Sequence, residues 1–302
     1  MKASLSSTAR GVFTFTLLVF NTLAWSALLI SLSLVKLVLP FSPVRRRLDP
    51  VLNAIANAWV SCNGKIFGLN RGTVWQISGG TDMKPGDWYL VISNHQSWVD
   101  ILVLQRALGG RIPLLKFFLK HELIYVPVIG LSWWALDFPF LRRHGKTALR
   151  KRPELRLQDR DATRKACERF SLVPTSVMSF PEGTRFTPAK RHAQDGQYRH
   201  LLPPKSGALA MSLDALGDKF RSLIDVTIVY PDGTPTFWQF LCGRCPRIHV
   251  DIRQLPIPPE LCAGDYGNDA AFRSRFHRWL GALWIEKDEL ISYVLTGRRT
   301  EA

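Results

Sequence analysis

The stretch "SNHQSWVD", residues 93–100, places a histidine and an aspartate five positions apart at the end of an apolar run. Histidine suits a general base near neutral pH, and a carboxylate can hold its imidazole in one tautomer. In a regular helix five residues rotate a side chain by about 500°, so His95 and Asp100 would point about 140° apart. The two can therefore meet only if a strand ends at Asn94 and a helix starts near Ser97.

The same residues also have a purely structural interpretation. Ser97 and Asp100 match a capping signature, in which the carboxylate satisfies backbone N–H groups and the helix dipole. Of the seven histidines, His95 alone has an aspartate five residues later. Ligands bind at the carboxyl ends of strands in α/β proteins, which favours a catalytic pair. From the spacing alone, both interpretations stay open.

A second candidate is "FPEGTR", residues 180–185, which again follows an apolar run. This stretch requires a tight turn at Gly183, exposes Glu182 at the sheet edge and offers Arg185 as a planar donor to phosphate. The N–H groups of the Gly183 turn are candidate donors to an oxyanion. The alternative is a surface ion pair between Glu182 and Arg185, which stabilises little.

Two basic clusters also follow predicted elements. Arg142 and Arg143 stand in "PFLRRHGK" after a predicted strand, and Lys205 precedes a predicted helix in "LPPKSGALAMSL". A lysine with small residues at a helix N-terminus suits an anion. Each cluster by itself is also typical of a solvated basic surface.

In this order the blocks resemble those of the glycerol-phosphate and lysophospholipid acyltransferase family, typified by bacterial 1-acyl-glycerol-3-phosphate acyltransferase. "NHQSWVD" is similar to its NHx4D block, "KHELIYVPVIG" followed by "FLRR" to its second block, and "FPEGTR" to its third. "KSGALAM" resembles the lysine-glycine segment after the third block, and "VTIVYP" stands where the fourth block falls. The resemblance covers about residues 75–231. The fourth block usually approaches Val-Pro-Val, whereas Pro231 comes later here, and the stretches 144–174 and 186–204 are longer than in compact members.

The resemblance implies transfer of a fatty acyl group from acyl carrier protein or coenzyme A to the sn-2 hydroxyl of 1-acyl-glycerol-3-phosphate or a related lysophospholipid. His95 would be the base and Asp100 its partner, with no metal, no cofactor beyond the acyl thioester and no covalent enzyme intermediate. Glu182 would hold the glycerol part of the acceptor, and Arg142 competes with Arg143 because either can face the site. The implied substrate-binding residues are Asn94, Arg143, Glu182, Gly183, Thr184, Arg185 and Lys205. A lipid-binding protein without turnover and an acyltransferase for a different lyso-lipid are the alternatives.

Short apolar runs alternate with helical stretches after Gly72, which predicts an α/β fold with a mixed, largely buried β-sheet flanked by helices. The polar stretch 187–204 is typical of a surface loop. Helices are expected to begin near Ser97, Leu114, Asp159, Ser206 and Asn268. Strands are expected at 74–78, 88–93, 134–140, 175–180, 225–230 and 247–253.

The N-terminal region contains 25 uncharged residues from Gly11 to Val35. About 20 apolar residues suffice to span a bilayer, so this stretch predicts an uncleaved membrane helix that either crosses the bilayer or enters one leaflet. Lys36 and the arginines at 45–47 favour a cytoplasmic location for the domain on their C-terminal side. Asp49 and Pro50 predict the start of a second, amphipathic helix, at the membrane interface or on the core. The expected division is an anchor with its basic flank at 1–47, an interfacial helix at 48–72 and an acyltransferase domain at 73–302.

The formal net charge of +16 favours anionic partners such as an acidic carrier protein, a phosphorylated substrate or an anionic membrane. No zinc finger, RNP-like run or basic helix supports nucleic acid as a partner. The five cysteines lack a regular spacing, which is typical of a reducing compartment, and the lone CxxC at 242–245 lacks a second pair for zinc. With the resemblance, we expect membrane phospholipids, a lysophospholipid acceptor and an acyl carrier protein or coenzyme A thioester as partners. The expected location is the bacterial cytoplasmic membrane, with the catalytic domain facing the cytoplasm.

Overall fold

The computed structural model describes residues 2–39, 41–69, 72–141, 170, 173–194, 196–262 and 264–297. The helices in these ranges are α1 (Lys2–Val38), α2 (Ser42–Gly68), α3 (Val99–Leu108), α4 (Ile129–Ala135), α5 (Pro188–His192), α6 (Gly207–Leu216), α7 (Phe237–Leu241) and α8 (Ala270–Thr296), with 3₁₀ turns at His121–Tyr125 and Pro259–Leu261. The strands are β1 (Val74–Gly79), β2 (Trp88–Ser93), β3 (Leu115–Phe117), β4 (Leu119–Lys120), β5 (Phe140–Leu141), β6 (Ser176–Ser179), β7 (Phe220–Val229) and β8 (Arg247–Leu255).

Six of these strands form one mixed sheet in the order β1-β8-β7-β2-β6-β3. The pairs β1–β8, β2–β7, β2–β6 and β3–β6 are parallel, and β7 and β8 run antiparallel. Strands β4 and β5 form a separate parallel pair. The central strands are buried whereas β1 at the edge is largely exposed. The predicted mixed and largely buried sheet is therefore confirmed.

Helices cover both faces of the sheet, and the alternation of side chains along β2 shows how. Tyr89 and Val91 pack in the cluster that includes the buried residues of α3. Leu90 and Ile92 point to the opposite face, into the cluster that includes buried residues of α6 and α8. Successive residues of a strand face opposite sides, so a continuous apolar run fits a strand buried on both faces. This packing fixes the end of β2, where "SNHQSWVD" leaves the sheet.

Helix α1 is long and apolar enough to cross a bilayer, and 17% of its most apolar stretch is buried within the protein. It nevertheless contacts the rest of the chain through polar side chains. Asn21 Nδ2 donates to Asn63 Oδ1 of α2 at 2.8 Å, and Ser132 Oγ of α4 donates to Ser26 Oγ at 2.8 Å. These contacts lie in the middle of the apolar stretch, so one side of α1 packs against protein.

The two ends of α1 are also fixed to the domain. A Cβ added at Gly11 would lie 2.5 Å from Cys242 Sγ, directly after α7, so the glycine allows a close approach there. Near the C-terminal end, Lys36 Nζ forms ion pairs with Asp137 and, at 2.7 Å, with Asp49. Helix α1 therefore lies along the domain from one end to the other.

Several elements were predicted correctly. Strands predicted at 74–78, 88–93, 175–180 and 247–253 are confirmed within two residues, and β7 begins five residues before the predicted position 225. Helices expected near Ser97, Ser206 and Asn268 begin at Val99, Gly207 and Ala270. The helix expected near Asp159 lies outside the described residues.

Other sequence-based predictions were wrong. Residues 134–140 are not a strand, because 129–135 form α4 and β5 has only two residues. A helix was expected from Leu114, whereas β3 and β4 form there; short apolar runs do not distinguish a strand from a buried helix.

The start of α2 and the stretch 187–204 also differ from prediction. Helix α2 begins at Ser42 with a proline in its first turn, Pro50 lies inside it, and Asp49 binds Lys36 instead of capping a helix. In the supposed surface loop, α5 forms and Tyr198, Leu201 and Leu202 are buried. The apolar side chains in this otherwise polar stretch therefore belong to the core.

Candidate active site

His95 and Asp100 meet in the loop between β2 and α3. His95 Nδ1 lies 2.8 Å from Asp100 Oδ2, and the two side chains are 15% and 1% exposed. The loop 94–98 turns the chain between strand and helix, which overcomes the unfavourable helical spacing. Because the carboxylate accepts a hydrogen bond from Nδ1–H, the neutral imidazole carries its proton on Nδ1. Nε2 then has the lone pair that can accept a proton.

Asp100 also fulfils the structural role that the sequence left open. Its Oδ2 accepts the backbone N–H groups of Gln96 at 2.6 Å and Ser97 at 2.8 Å. Its Oδ1 accepts the hydroxyl of Tyr230 at 2.6 Å. Four donors therefore surround one buried carboxylate, which orients the loop and the imidazole together. Sequence reasoning missed Tyr230, which comes 130 residues later in the chain.

The imidazole of His95 is stacked on Phe180, the first residue of "FPEGTR". The ring centroids are 4.0 Å apart and the planes differ by 15°. Phe180 also stacks with Phe117 at 6.2 Å between centroids. One face of the base is thus covered by an aromatic side chain, which limits the ring to the orientation that Asp100 selects.

Glu182 is buried beneath the loop instead of exposed at the sheet edge. It is 1% exposed; Oε1 accepts the backbone N–H of His95 at 2.8 Å and Oε2 that of Leu202 at 3.0 Å. Burial raises the pKa of Glu182 to about 7, although both hydrogen bonds lower it. The predicted surface ion pair between Glu182 and Arg185 is therefore wrong. Both carboxylate oxygens of Glu182 accept backbone N–H groups instead. Its role in holding the acceptor stays a prediction.

Asn94 is fully buried, and its amide bridges two strands. Nδ2 donates to the backbone carbonyl of Ile228 at 2.8 Å, and Oδ1 accepts the N–H of Ile228 at 2.8 Å. The side chain thereby fixes the end of β2 to β7. Substrate binding by Asn94 stays a prediction, whereas this bridge fixes the backbone directly before His95.

Gly183 forms the tight turn that the sequence requires, with φ 69°. Its N–H donates to the carbonyl of Phe180 at 2.9 Å, so this N–H is engaged and does not point to an oxyanion. A Cβ at Gly183 would lie 3.3 Å from Lys205 Nζ, and the N–H of Lys205 donates to the carbonyl of Pro181 at 2.8 Å. The structure therefore brings Lys205 beside the "FPEGTR" turn.

Arg185 and Trp98 form a second contact between the two blocks. The guanidinium carbon of Arg185 lies 4.7 Å from the centroid of the Trp98 ring, and Trp98 is 58% exposed. A guanidinium held over an aromatic ring still has N–H groups that can bind an anion. Lys190 Nζ donates to Thr184 Oγ1 at 2.6 Å and to the carbonyl of Arg185 at 2.9 Å, which orders the turn. The sequence analysis did not identify Trp98 as a site residue. Its position between His95 and Asp100 in the sequence could have indicated that it lies at the site.

The described part of the site contains neither the two predicted arginines nor the CxxC cysteines. Arg142 and Arg143 lie outside the described residues, so their role stays a prediction. In the part of the chain that the structure describes, no group of three or more His, Cys, Asp or Glu side chains can hold a metal ion. Cys242 and Cys245 are buried, and burial raises the pKa of Cys245 to about 11.

The chain is similar to several known proteins. An acyltransferase family model matches residues 75–231. An uncharacterized acyltransferase of Saccharomyces cerevisiae is 27% identical over 249 residues, which cover 70% of this chain and 60% of the yeast protein. The 1-acyl-sn-glycerol-3-phosphate acyltransferase delta of Rattus norvegicus is 28% identical over 228 residues, covering 69% of this chain and 54% of that protein. The chain thus spans somewhat more than half the length of these relatives. The crystal structure of the 1-acyl-sn-glycerophosphate acyltransferase of Thermotoga maritima, 19% identical, matches over 87% of this chain and 98% of that chain with a TM-score of 0.45.

Proposed function

Because the chain belongs to the acyltransferase family, we propose that it transfers a fatty acyl group from a thioester donor to a hydroxyl of 1-acyl-glycerol-3-phosphate or a related lysophospholipid. The observation that carries this proposal is the 2.8 Å contact between His95 Nδ1 and the buried Asp100 carboxylate. This contact prepares Nε2 as a general base. The rat relative carries this acceptor in its own name, which supports the same acceptor class.

In the proposed reaction, Nε2 of His95 takes the proton of the acceptor hydroxyl as that oxygen attacks the thioester carbonyl carbon. A carbon–oxygen bond forms, and the carbonyl oxygen becomes an oxyanion. Asp100 stabilises the resulting imidazolium, which the stacked Phe180 keeps in place. Collapse of the oxyanion then breaks the carbon–sulfur bond, and the thiolate takes the proton back from His95. No enzyme nucleophile is required.

The acceptor phosphate is proposed to bind at the "FPEGTR" turn. Arg185, held over the ring of Trp98, offers guanidinium N–H groups, and Lys205 lies beside Gly183 of the same turn. Arginine can bind phosphate with two parallel hydrogen bonds, which favours a phosphate-bearing acceptor over a neutral one. Arg143 is the further predicted contact. A larger head group on the acceptor is compatible with the same cations.

The exposed face of α1 is proposed to contact the lipid that contains the acceptor. Phe13 and Phe20 are 59% and 68% exposed, while the opposite face packs on α2, α4 and α7. With one face against protein and the other apolar, α1 suits insertion beside the domain. A bacterial cytoplasmic membrane and a cytoplasmic orientation stay predictions, because the relatives include yeast and rat proteins. The net charge of +16 suits an acidic carrier and an anionic lipid equally, so the donor is decided by assay.

The test is acyl transfer by the purified full chain, with acyl carrier protein and coenzyme A thioesters crossed against several labelled lyso-lipids. We expect His95→Ala to lower the rate by about 10²–10⁴-fold, since the general base is lost. His277→Ala, which changes an exposed histidine of α8, is the matched control. Near-normal acyl incorporation by His95→Ala refutes the mechanism. Lipid binding by the wild-type chain without turnover on any pair of substrates supports the non-catalytic alternative.

A further inference from the structure

Tyr230 lies directly after β7, is 4% exposed and donates its hydroxyl to Asp100 Oδ1 at 2.6 Å. The other oxygen of the same carboxylate accepts from His95 Nδ1. Asp100 is therefore placed between two side chains that approach it from different elements. A change at Tyr230 acts on the imidazole only through this carboxylate.

A hydroxyl that donates to a carboxylate withdraws negative charge from it and stabilises its ionised form. The imidazolium of His95 competes for that same charge. We propose that Tyr230 is a positioning residue that limits the basicity of His95 by sharing the charge of Asp100, and so sets the pH range in which His95 is a neutral base. This inference rests on the proposed function, because it assigns a role within that reaction.

Three other titratable side chains lie around the hydrogen bond between Tyr230 and Asp100. Glu182 faces Asp100, Cys245 faces Tyr230, and Lys287 of α8 faces Glu182. Burial raises the pKa of Tyr230 well above 10 and that of Cys245 to about 11, so both stay neutral around pH 7. The pKa of Glu182 is about 7, so Glu182 also titrates within the pH range of the activity profile. A measurement must therefore distinguish the titration of Glu182 from that of His95.

Tyr230→Phe removes the hydroxyl and keeps the ring that fills the core. Without the donor, the charge on Asp100 stabilises the imidazolium more strongly, and the pKa of His95 rises. We expect the acid limb of the kcat/KM profile to move to higher pH by about 0.5–1 unit, as loss of one hydrogen bond to the carboxylate implies. The KM for the acceptor is expected to stay unchanged, because Tyr230 acts through Asp100 and not on substrate.

A substitution that strengthens the hydrogen bond to Asp100 distinguishes this effect from a loss of stability, because the two variants are expected to move the acid limb in opposite directions. Replacing Tyr230 with 3-fluorotyrosine keeps the shape and gives a more acidic, stronger donor, so the acid limb is expected to move to lower pH. Tyr89→Phe is the matched control. Tyr89 is fully buried in the same core cluster, and its hydroxyl accepts the N–H of Lys84 at 2.8 Å instead of contacting Asp100. Its loss is expected to lower stability without moving the limb.

The pKa of His95 is also measured directly, by NMR of ¹⁵N-histidine-labelled full-length protein with the signal assigned through His95→Gln. This titration separates His95 from Glu182 and does not depend on turnover. If the wild-type chain transfers no acyl group but the pKa of His95 rises in Tyr230→Phe, the proposed function fails, and the effect of Tyr230 on the imidazole stands without a role in catalysis. If the wild type is active and neither the limb nor the pKa moves in the two Tyr230 variants, Tyr230 merely fills the core and the inference is overturned.

Discussion

The buried carboxylate of Glu182 makes the stability of the protein depend on pH in a direction that can be measured. Burial raises its pKa from 4.5 to about 7, so between these values the folded protein binds a proton that the unfolded chain releases. The free energy of unfolding therefore contains a contribution that is present below about pH 4.5 and is lost as pH rises to 7. A difference of about 2.5 between the two pKa values corresponds to about 3 kcal/mol. Because Glu182 is 1% exposed, solvent screening reduces this value little.

Glu182→Gln removes that titration but keeps the size of the side chain. A glutamine has one carbonyl oxygen, so one of the two backbone N–H groups of His95 and Leu202 faces an amide nitrogen, which costs about 1–3 kcal/mol at every pH. We expect the variant to be clearly less stable than the wild type at pH 4.5. The wild type loses about 3 kcal/mol by pH 8, where its carboxylate is ionised without solvent, so the gap is expected to close or to reverse in favour of the variant.

Thermal unfolding of the purified full chain in detergent, from pH 4.5 to 8, measures this gap. About 3 kcal/mol corresponds to a change of about 6 °C in the Tm difference between variant and wild type. Glu122→Gln is the control, because Glu122 is exposed on the turn His121–Tyr125 and its change is expected to give the same Tm difference at each pH. A constant Tm difference for Glu182→Gln across this range refutes the argument, because burial then does not disfavour the charge.

Two further predictions concern the contacts that hold the site and α1. Trp98→Ala is expected to raise the acceptor KM about 3–10-fold with kcat largely kept, because Arg185 loses the ring that orients it. Trp98→Phe keeps an aromatic ring under Arg185, so its KM is expected to stay close to that of the wild type. Equal KM values for wild type and Trp98→Ala contradict the stacking role. Gly11→Ala places a Cβ 2.5 Å from Cys242 Sγ and is expected to destabilise the protein by about 1–3 kcal/mol. Gly64→Ala in α2, where a Cβ meets nothing within 4 Å, is expected to stabilise by about 0.5–1 kcal/mol, as alanine does in an open helix position. Melting temperatures that change equally for both glycine variants show that α1 does not pack closely on α7.

The contact between His95 and Asp100 was predictable because both residues belong to one local turn. A strand end, a capping signature and a histidine lie within "SNHQSWVD", and in the structure one carboxylate both contacts His95 and caps the loop. Tyr230 was not predictable in this way. Its contact with Asp100 joins residues 130 positions apart, and the pairing of β2 with β7 brings them together.

Local patterns failed where tertiary packing decides. Glu182 follows a strand and precedes a glycine turn, which suggests exposure, but the segment ending at Leu202 covers it and supplies a backbone partner. Asp49 before Pro50 is typical of a helix start, yet α2 already runs through both residues, and Asp49 forms an ion pair with Lys36 of α1. In each case a partner distant in sequence replaced the local interaction.

The order of strands has a consequence for how the chain folds during synthesis. Strand β1 pairs with β8, which begins at residue 247, so β1 emerges from the ribosome more than 160 residues before its partner. Parallel pairing over such a distance forms slowly and leaves strand edges open to association meanwhile. Helix α1 is synthesised before the sheet, so the membrane contact proposed for it can form while the sheet is still incomplete. A chain truncated before β8 is expected to keep α1 and to aggregate through the unpaired edges of β1 and β7.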